Sequence, residues 1–177
     1  MTIKIKLSGG LGNQMFQFAT GYAVAKKNQV RLSLDLKYIN KRQLFNGFEL
    51  ESVFNIYSKI SFLNKKLKFK SFNISEIFNI FDKSFYNFYE PHYHYSQNIL
   101  NLPKHSFLDG YWQSELYFKD YAKEIREIFT FSNNLNKENN LMIDEINHSN
   151  SISIHIRRGD YLSKETTPAS DNSVHAR

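Results

Sequence analysis

The chain has 177 residues, 41% of them hydrophobic and 16% aromatic, with 16 Phe and 11 Tyr, so it can build a full core and is excluded from the disordered class. It contains no cysteine, which excludes disulfides and thiolate chemistry. A net charge of +6 fits a polyanionic partner, whether a nucleotide, an anionic membrane surface or nucleic acid.

Thr2 to Leu7 alternates apolar and polar residues and reads as a first strand. Its apolar positions are interleaved with lysines, so it is not the apolar centre of a signal peptide. Ser8-Gly9-Gly10-Leu11-Gly12-Asn13 follows as a glycine-rich turn, with Asn13 as the expected N-cap of a largely apolar helix from Gln14 to Lys27. Val30 to Asp35 is a second strand, which completes a βαβ opening. A strand, a glycine loop and a helix amino end together offer converging backbone N–H groups to an anion. Asp35 sits where a dinucleotide site places its ribose-binding acid, so an NAD-dependent oxidoreductase is one reading. The glycine spacing argues against it, because Met15 stands where the third glycine is needed.

Arg42 to Ile56 carries Phe45, Phe48, Leu50, Val53, Phe54 and Ile56 and is expected to pack a turn or short helix on the sheet. Leu63 to Lys70 holds four lysines among apolar residues, a solvated face or a weak attraction to an anionic membrane surface. Ser75 to Phe81 suggests a short helix. Phe85 to Tyr95 is crowded with aromatics, which fit a core or, near a cleft, the apolar faces of sugar rings. His92 and His94 have the spacing of paired metal ligands, but no further ligands follow at a suitable distance. His105 to Trp112 reads as a strand. Ser114 is expected to cap a helix reaching about Phe129, with Leu116, Tyr117, Tyr121, Ile125 and Ile128 as its apolar stripe. Leu135 to Asn147 reads as another helix.

Ser151 to Tyr161 has the period-2 pattern of a one-face-buried strand, with Ile152, Ile154 and Ile156 alternating with Ser151, Ser153 and His155. It runs into Arg157-Arg158-Gly159-Asp160. Arginines at the carboxyl end of a strand suit an anion, since guanidinium binds phosphate in bidentate fashion and keeps its charge. A solvated surface pair is the plain alternative. The alternation of strands and helices predicts an α/β fold with a mainly parallel, Rossmann-like sheet. Residues 163–177 are polar and unpatterned. The domain boundary is expected near residue 148, with residues 149–177 as the opening of a second, incomplete domain.

Two of these segments carry a family resemblance. Ser8 to Ala19 resembles the amino-terminal signature of the α-1,2-fucosyltransferases of glycosyltransferase family 11. His155-Ile156-Arg157-Arg158-Gly159-Asp160-Tyr161 is similar to the H-x-R-R-G-D motif of GDP-fucose-using transferases. Phe48 to Ile56 and Gly110 to Glu115 also look like family segments, and the similarity runs from residue 3 to about residue 163. It implies a GT-B architecture in which residues 1–148 form the acceptor-side Rossmann-like domain and residues 149–177 begin the GDP-fucose-binding domain.

The implied reaction transfers fucose from GDP-fucose to the 2-hydroxyl of a galactose-containing glycan acceptor, with inversion and with no cofactor or required metal. The resemblance further implies Arg157 and His155 as catalytic residues, with Arg157 meeting the charge that gathers on the β-phosphate. Arg157, Arg158, Asp160, Asn13, Gly10 and Gly12 are implied as donor-binding residues. No general base is assigned. Because the family's donor domain is longer, the 177-residue chain by itself is expected to turn over little substrate. A non-catalytic nucleotide- or glycan-binding remnant is the alternative. The family setting implies a bacterial cytoplasmic protein of surface-polysaccharide (O-antigen) synthesis, peripheral to the inner membrane at most. Lys and Arg are spread along the chain without a nucleic-acid-binding motif, so no nucleic acid is expected as a partner.

Overall fold

In the computed structural model of the protein, residues 1–42, 47–59, 85–131 and 136–154 are described, 40–42 by their backbone alone. The chain divides into two units, Met1–Asn134 and Leu135–Arg177. Among its described residues the first is built on a four-stranded sheet in which every pairing is parallel, in the order β2-β1-β4-β3. Its strands are β1 (Thr2–Lys6), β2 (Arg31–Asp35), β3 (Tyr86–Tyr89) and β4 (Ser106–Asp109). The Rossmann-like α/β expectation is borne out.

The alternation read in β1 has a direct structural cause. Ile3 and Ile5 are fully buried while Thr2, Lys4 and Lys6 are half-buried on the other face. Helix α1 (Leu11–Asn28) covers the sheet with Phe18, Ala19, Tyr22, Val24 and Ala25, and places Lys26 and Lys27 in its last turn. Gly21 lets α1 sit close to the strands: a Cβ there would stand 2.8 Å from Ile5 Cγ2 and 3.1 Å from Leu32 Cδ1. Helix α2 (Lys37–Arg42) follows β2 through an Asx turn, with Asp35 Oδ1 accepting from the Lys37 N–H at 3.1 Å. That turn gives Asp35 a structural role. The short helix expected within 42–56 is α3 (Glu49–Phe54), which buries Leu50 and Phe54.

Three expectations need correction. Asn13 is not an N-cap: α1 begins at Leu11 behind Gly10, and Asn13 is its third residue. Gly9, at φ 75°, turns the chain so sharply after β1 that the helix can start earlier, and Gln14 N–H already bonds to Gly10 C=O at 3.1 Å. The single helix from Ser114 to Phe129 is instead two 3₁₀ turns, Glu115–Tyr117 and Lys119–Tyr121, followed by α4 (Ala122–Ile128). Adjacent Tyr117 and Phe118 pack on different partners, Tyr117 on Trp112 and Tyr95, Phe118 on Phe16. Neighbours on an α-helix diverge too far for one apolar stripe to serve both. Ser114 does cap the first 3₁₀ turn.

The third correction concerns the late strand. Residues 151–154 form no strand, pair with none of the described residues, and leave Ile152 and Ile154 exposed. A strand needs a ladder partner for its backbone groups, and alternation alone does not supply one. In the second unit, α5 (Lys137–Asn147) is capped by Asn136, whose Oδ1 accepts from Asn139 N–H at 2.8 Å. Edge strand β3 had no legible pattern, because three of its four residues are exposed irrespective of face. The lysine cluster of 63–70 and the helix expected at 75–81 lie outside the described residues. Among the described residues no helix is long and apolar enough to cross a membrane.

Two predictions follow from this packing. Gly21→Val drives a branched side chain into Ile5 and Leu32, and should cost about 1–3 kcal/mol in urea unfolding. The second concerns Glu124, which accepts from Tyr22 Oη at 2.5 Å and Lys26 Nζ at 2.7 Å and so ties α4 to α1. Burial pushes the Glu124 carboxyl up, but these two hydrogen bonds and the Lys26 charge outweigh it and hold it below the ordinary value of 4.5. The folded state therefore holds this proton more weakly than the unfolded chain. Its stabilisation is in place above about pH 4.5 and is lost as pH falls through the folded value. Chemical unfolding between pH 6 and 3 should show this slope, and Glu124→Gln should flatten it.

Candidate functional site

The chain leaves β1 for β2 on one flank of the sheet, then crosses to the other flank for β3 and β4. The topological switch thus lies between β1 and β4, and the crevice outside their carboxyl ends is where open α/β sheets bind ligands. Two segments rim it: the glycine loop Leu7–Gly10 after β1 and the turn Gly110–Gln113 after β4. Opposite each other at the strand ends, Lys6 Nζ and the Asp109 carboxylate pair at 3.1 Å, each side chain 28% exposed.

Two buried glutamines of α1 fix these segments. Gln17 is fully buried. Its Oε1 accepts from Ser8 N–H at 2.8 Å, and its Nε2 donates to Ser8 Oγ at 3.0 Å and to Gly110 C=O at 3.1 Å. One side chain therefore joins both rims. Gln14, also fully buried, donates through Nε2 to Gly9 C=O and Gly47 C=O, each at 3.0 Å, and accepts from Glu49 N–H at 3.1 Å. It ties the glycine loop to the start of α3.

Of the residues expected to bind the donor, Gly10, Gly12 and Asn13 meet at this crevice. Gly10 is the N-cap of α1, Gly12 is exposed in its first turn, and a Cβ at Gly12 would meet nothing within 4 Å. That turn carries no acidic residue, and its leading amides have no intrahelical acceptor. Asn13 Oδ1 accepts from Gln113 Nε2 at 2.7 Å, so the two rims are bridged at the surface as well as beneath it. His155, Arg157, Arg158 and Asp160 lie outside the described residues.

The turn after β4 has a special conformation. Trp112, fully buried, has φ 57° in the left-handed region. The Glu90 carboxylate accepts from Tyr111 N–H at 2.6 Å and from Trp112 N–H at 3.0 Å. A Cβ at Gly110 would collide with the Glu90 side chain, so only glycine permits that approach. Phe88 stacks on the Trp112 ring at 6.0 Å. His92 Nδ1 is engaged by the backbone of His94, and among the described residues no three His, Asp or Glu side chains group as a metal site would need.

Sequence inspection did not single out Gln14, Gln17 or Glu90. The signal for the glutamines was present: two long polar side chains three residues apart in an apolar helix share one face, and a buried amide there must have partners. Glu90 gave no comparable signal, because its partners are backbone groups 21 and 22 residues away.

Gln17→Leu removes both rim contacts and strands the Ser8 N–H and the Gly110 C=O. The expected cost is about 1–3 kcal/mol, with faster hydrogen exchange at the Ser8 amide than at the β1 amides. Unchanged Ser8 protection would show that Gln17 does not hold the loop.

Residues 1–174 match the family model described as Glycosyl transferase family 11. An Escherichia coli protein named Alpha-1,2-colitosyltransferase is 38% identical over 164 residues, covering 89% of this chain and 54% of that protein. The chain thus spans about half the length of the curated relative it matches. No solved structure matches it.

Proposed function

Given that this chain belongs to glycosyl transferase family 11, we propose that it serves a nucleotide-sugar-dependent glycosyltransferase that moves fucose from GDP-fucose to the 2-hydroxyl of a galactose-type acceptor, with inversion. The observation that carries the reading is the family match over residues 1–174, which spans both the glycine loop and the arginine segment. The start of α1 supports it, since Gly12 is exposed and the first helical turn carries no acidic residue, which suits the close approach of a sugar diphosphate.

In this proposal Arg157 neutralises the charge that develops on the β-phosphate as the glycosidic bond to GDP breaks and the sugar becomes oxocarbenium-like. His155, Arg158 and Asp160 hold the donor and orient Arg157. Gly10, Gly12 and Asn13 present the first turn of α1 to it. No metal is assigned to the reaction. The relative's name supports the α-1,2 linkage and favours a second reading of the donor, in which the transferred sugar is colitose rather than fucose.

Titration calorimetry with GDP and with NAD, on the chain and on Arg157→Ala, tests the proposal. GDP should bind, and the substitution should weaken it about 10–100-fold, as expected for a charge-assisted contact. NAD should not bind. Absence of GDP binding would leave the non-catalytic alternative, and NAD binding in its place would point to an oxidoreductase. Product analysis with GDP-fucose and GDP-colitose on a β-galactoside then identifies the sugar.

A further inference from the structure

Beside the crevice, at the carboxyl ends of β3 and β4, a cleft of ≈ 370 Å³ is lined by Tyr89, Glu90, His92, Tyr93, Asp109 and Tyr111, with Pro91 and Gly110 completing its wall. Three of these residues are tyrosines that folding leaves in water: Tyr89 is 64% exposed, Tyr93 66% and Tyr111 40%. Many other aromatic rings of this unit pack on one another, as Phe54 does on Phe129 and Trp112 on Tyr117, although Tyr86 and Phe131 are also exposed. Rings gathered around a concavity and open to solvent offer flat apolar faces with a polar hydroxyl at the edge.

The charge of the lining selects the ligand class. Among the described residues it contains two carboxylates, Glu90 and Asp109, and neither lysine nor arginine. The cation beside it, Lys6, is paired with Asp109. A phosphate or diphosphate would meet the Glu90 carboxylate, which has backbone N–H partners but no paired cation among the lining residues described, whereas a neutral polyol would meet acceptors for its hydroxyls. Glu90 is fixed by the Tyr111 and Trp112 amides and uses one site on each oxygen, which leaves lone pairs for further donors. The volume is near the lower end of the roughly 300–1,000 Å³ range of small-molecule sites, which suits a single sugar ring.

We propose that this cleft binds a neutral pyranose, stacked on Tyr89 and Tyr93 and hydrogen-bonded to Glu90 and His92. Its role as the acceptor subsite rests on the transferase function proposed above; its selectivity for a neutral sugar over a nucleotide does not. The turn Gly110–Gln113 connects the two sites, with Tyr111 lining the cleft and Gln113 bonded to Asn13 at the glycine loop.

Saturation-transfer NMR on the 177-residue chain with methyl β-galactopyranoside, and separately with GDP, tests this. Saturation should reach the ring C–H protons of the galactoside. Tyr89→Ala and Tyr93→Ala should each weaken its binding roughly tenfold. Tyr86→Ala should leave it unchanged, since Tyr86 is equally an exposed tyrosine of β3 but lies outside the cleft. GDP binding should not change in any of the three. No transfer to galacto-, gluco- or fucopyranosides, or transfer indifferent to both cleft substitutions, overturns the proposal even where GDP still binds. Loss of GDP binding in Tyr89→Ala or Tyr93→Ala also overturns it, by making the cleft a nucleotide site. Pyranoside binding that responds to both substitutions in a chain that ignores GDP upholds the cleft and removes the transferase reading instead.

Discussion

The geometry at the carboxyl edge of the sheet depends on one buried amide. Gln17 has no exposure to solvent and spends three hydrogen bonds on Ser8 and Gly110, two segments 102 residues apart in the chain. Its burial in an apolar helix would be costly if any of these contacts were lost, because a buried polar group without a partner forfeits its water. The positions of the glycine loop and the β4 turn are therefore correlated. Neither can move without exposing or stranding the same side chain. Gln14, one turn earlier, extends the constraint to the start of α3.

On that frame the carboxyl edge has two chemically different neighbourhoods. At the glycine loop, Gly12 is exposed and the first turn of α1 carries no acidic side chain, while the Glu49 carboxylate of α3 stands beside Gly10. Around the ends of β3 and β4, carboxylates and tyrosines face outward. The amides of Tyr111 and Trp112 would add backbone donors to the second neighbourhood, but Glu90 takes both. Under the transferase function proposed above, the first neighbourhood would take the anionic donor and the second the neutral acceptor. The separation is maintained by a local charge-assisted contact and not by distance.

How much of this was legible depends on whether the cause was local. β1, β2, α1 and β4 were read from periodicity, because each buries one face against its neighbours and its sequence records that. Strand β3 was not, since an edge strand with exposed Tyr86, Asn87 and Tyr89 carries no alternation. The helix expected over 115–129 broke where adjacent aromatics needed different partners, and the position of those partners is tertiary information. Ile152 and Ile154 alternate well and remain exposed, so the pattern was present without a sheet to receive it among the described residues. Gly10, Gly12 and Asn13 were found as a cluster from sequence, while the role of Asn13 was not. Its partner, Gln113, is 100 residues away.

Trp112 shows why the β4 turn is better explained by placement than by stability. Burying its ring, about 150–250 Å² at roughly 25 cal/mol per Å², contributes about 4–6 kcal/mol. Against this stand about 1–3 kcal/mol for left-handed backbone at a bulky residue and about 1–3 kcal/mol for an indole N–H with no protein partner among the described residues. These opposing contributions are of similar size, so burial of the ring does not by itself account for the strained turn. What the strained turn achieves is direction. With Trp112 anchored between Phe88 and Tyr117, the residue before it lines the β3–β4 cleft and the residue after it reaches Asn13 at the glycine loop. A relaxed turn would keep the anchor and lose that divergence. The strain is thus best understood as the cost of presenting one loop to two sites.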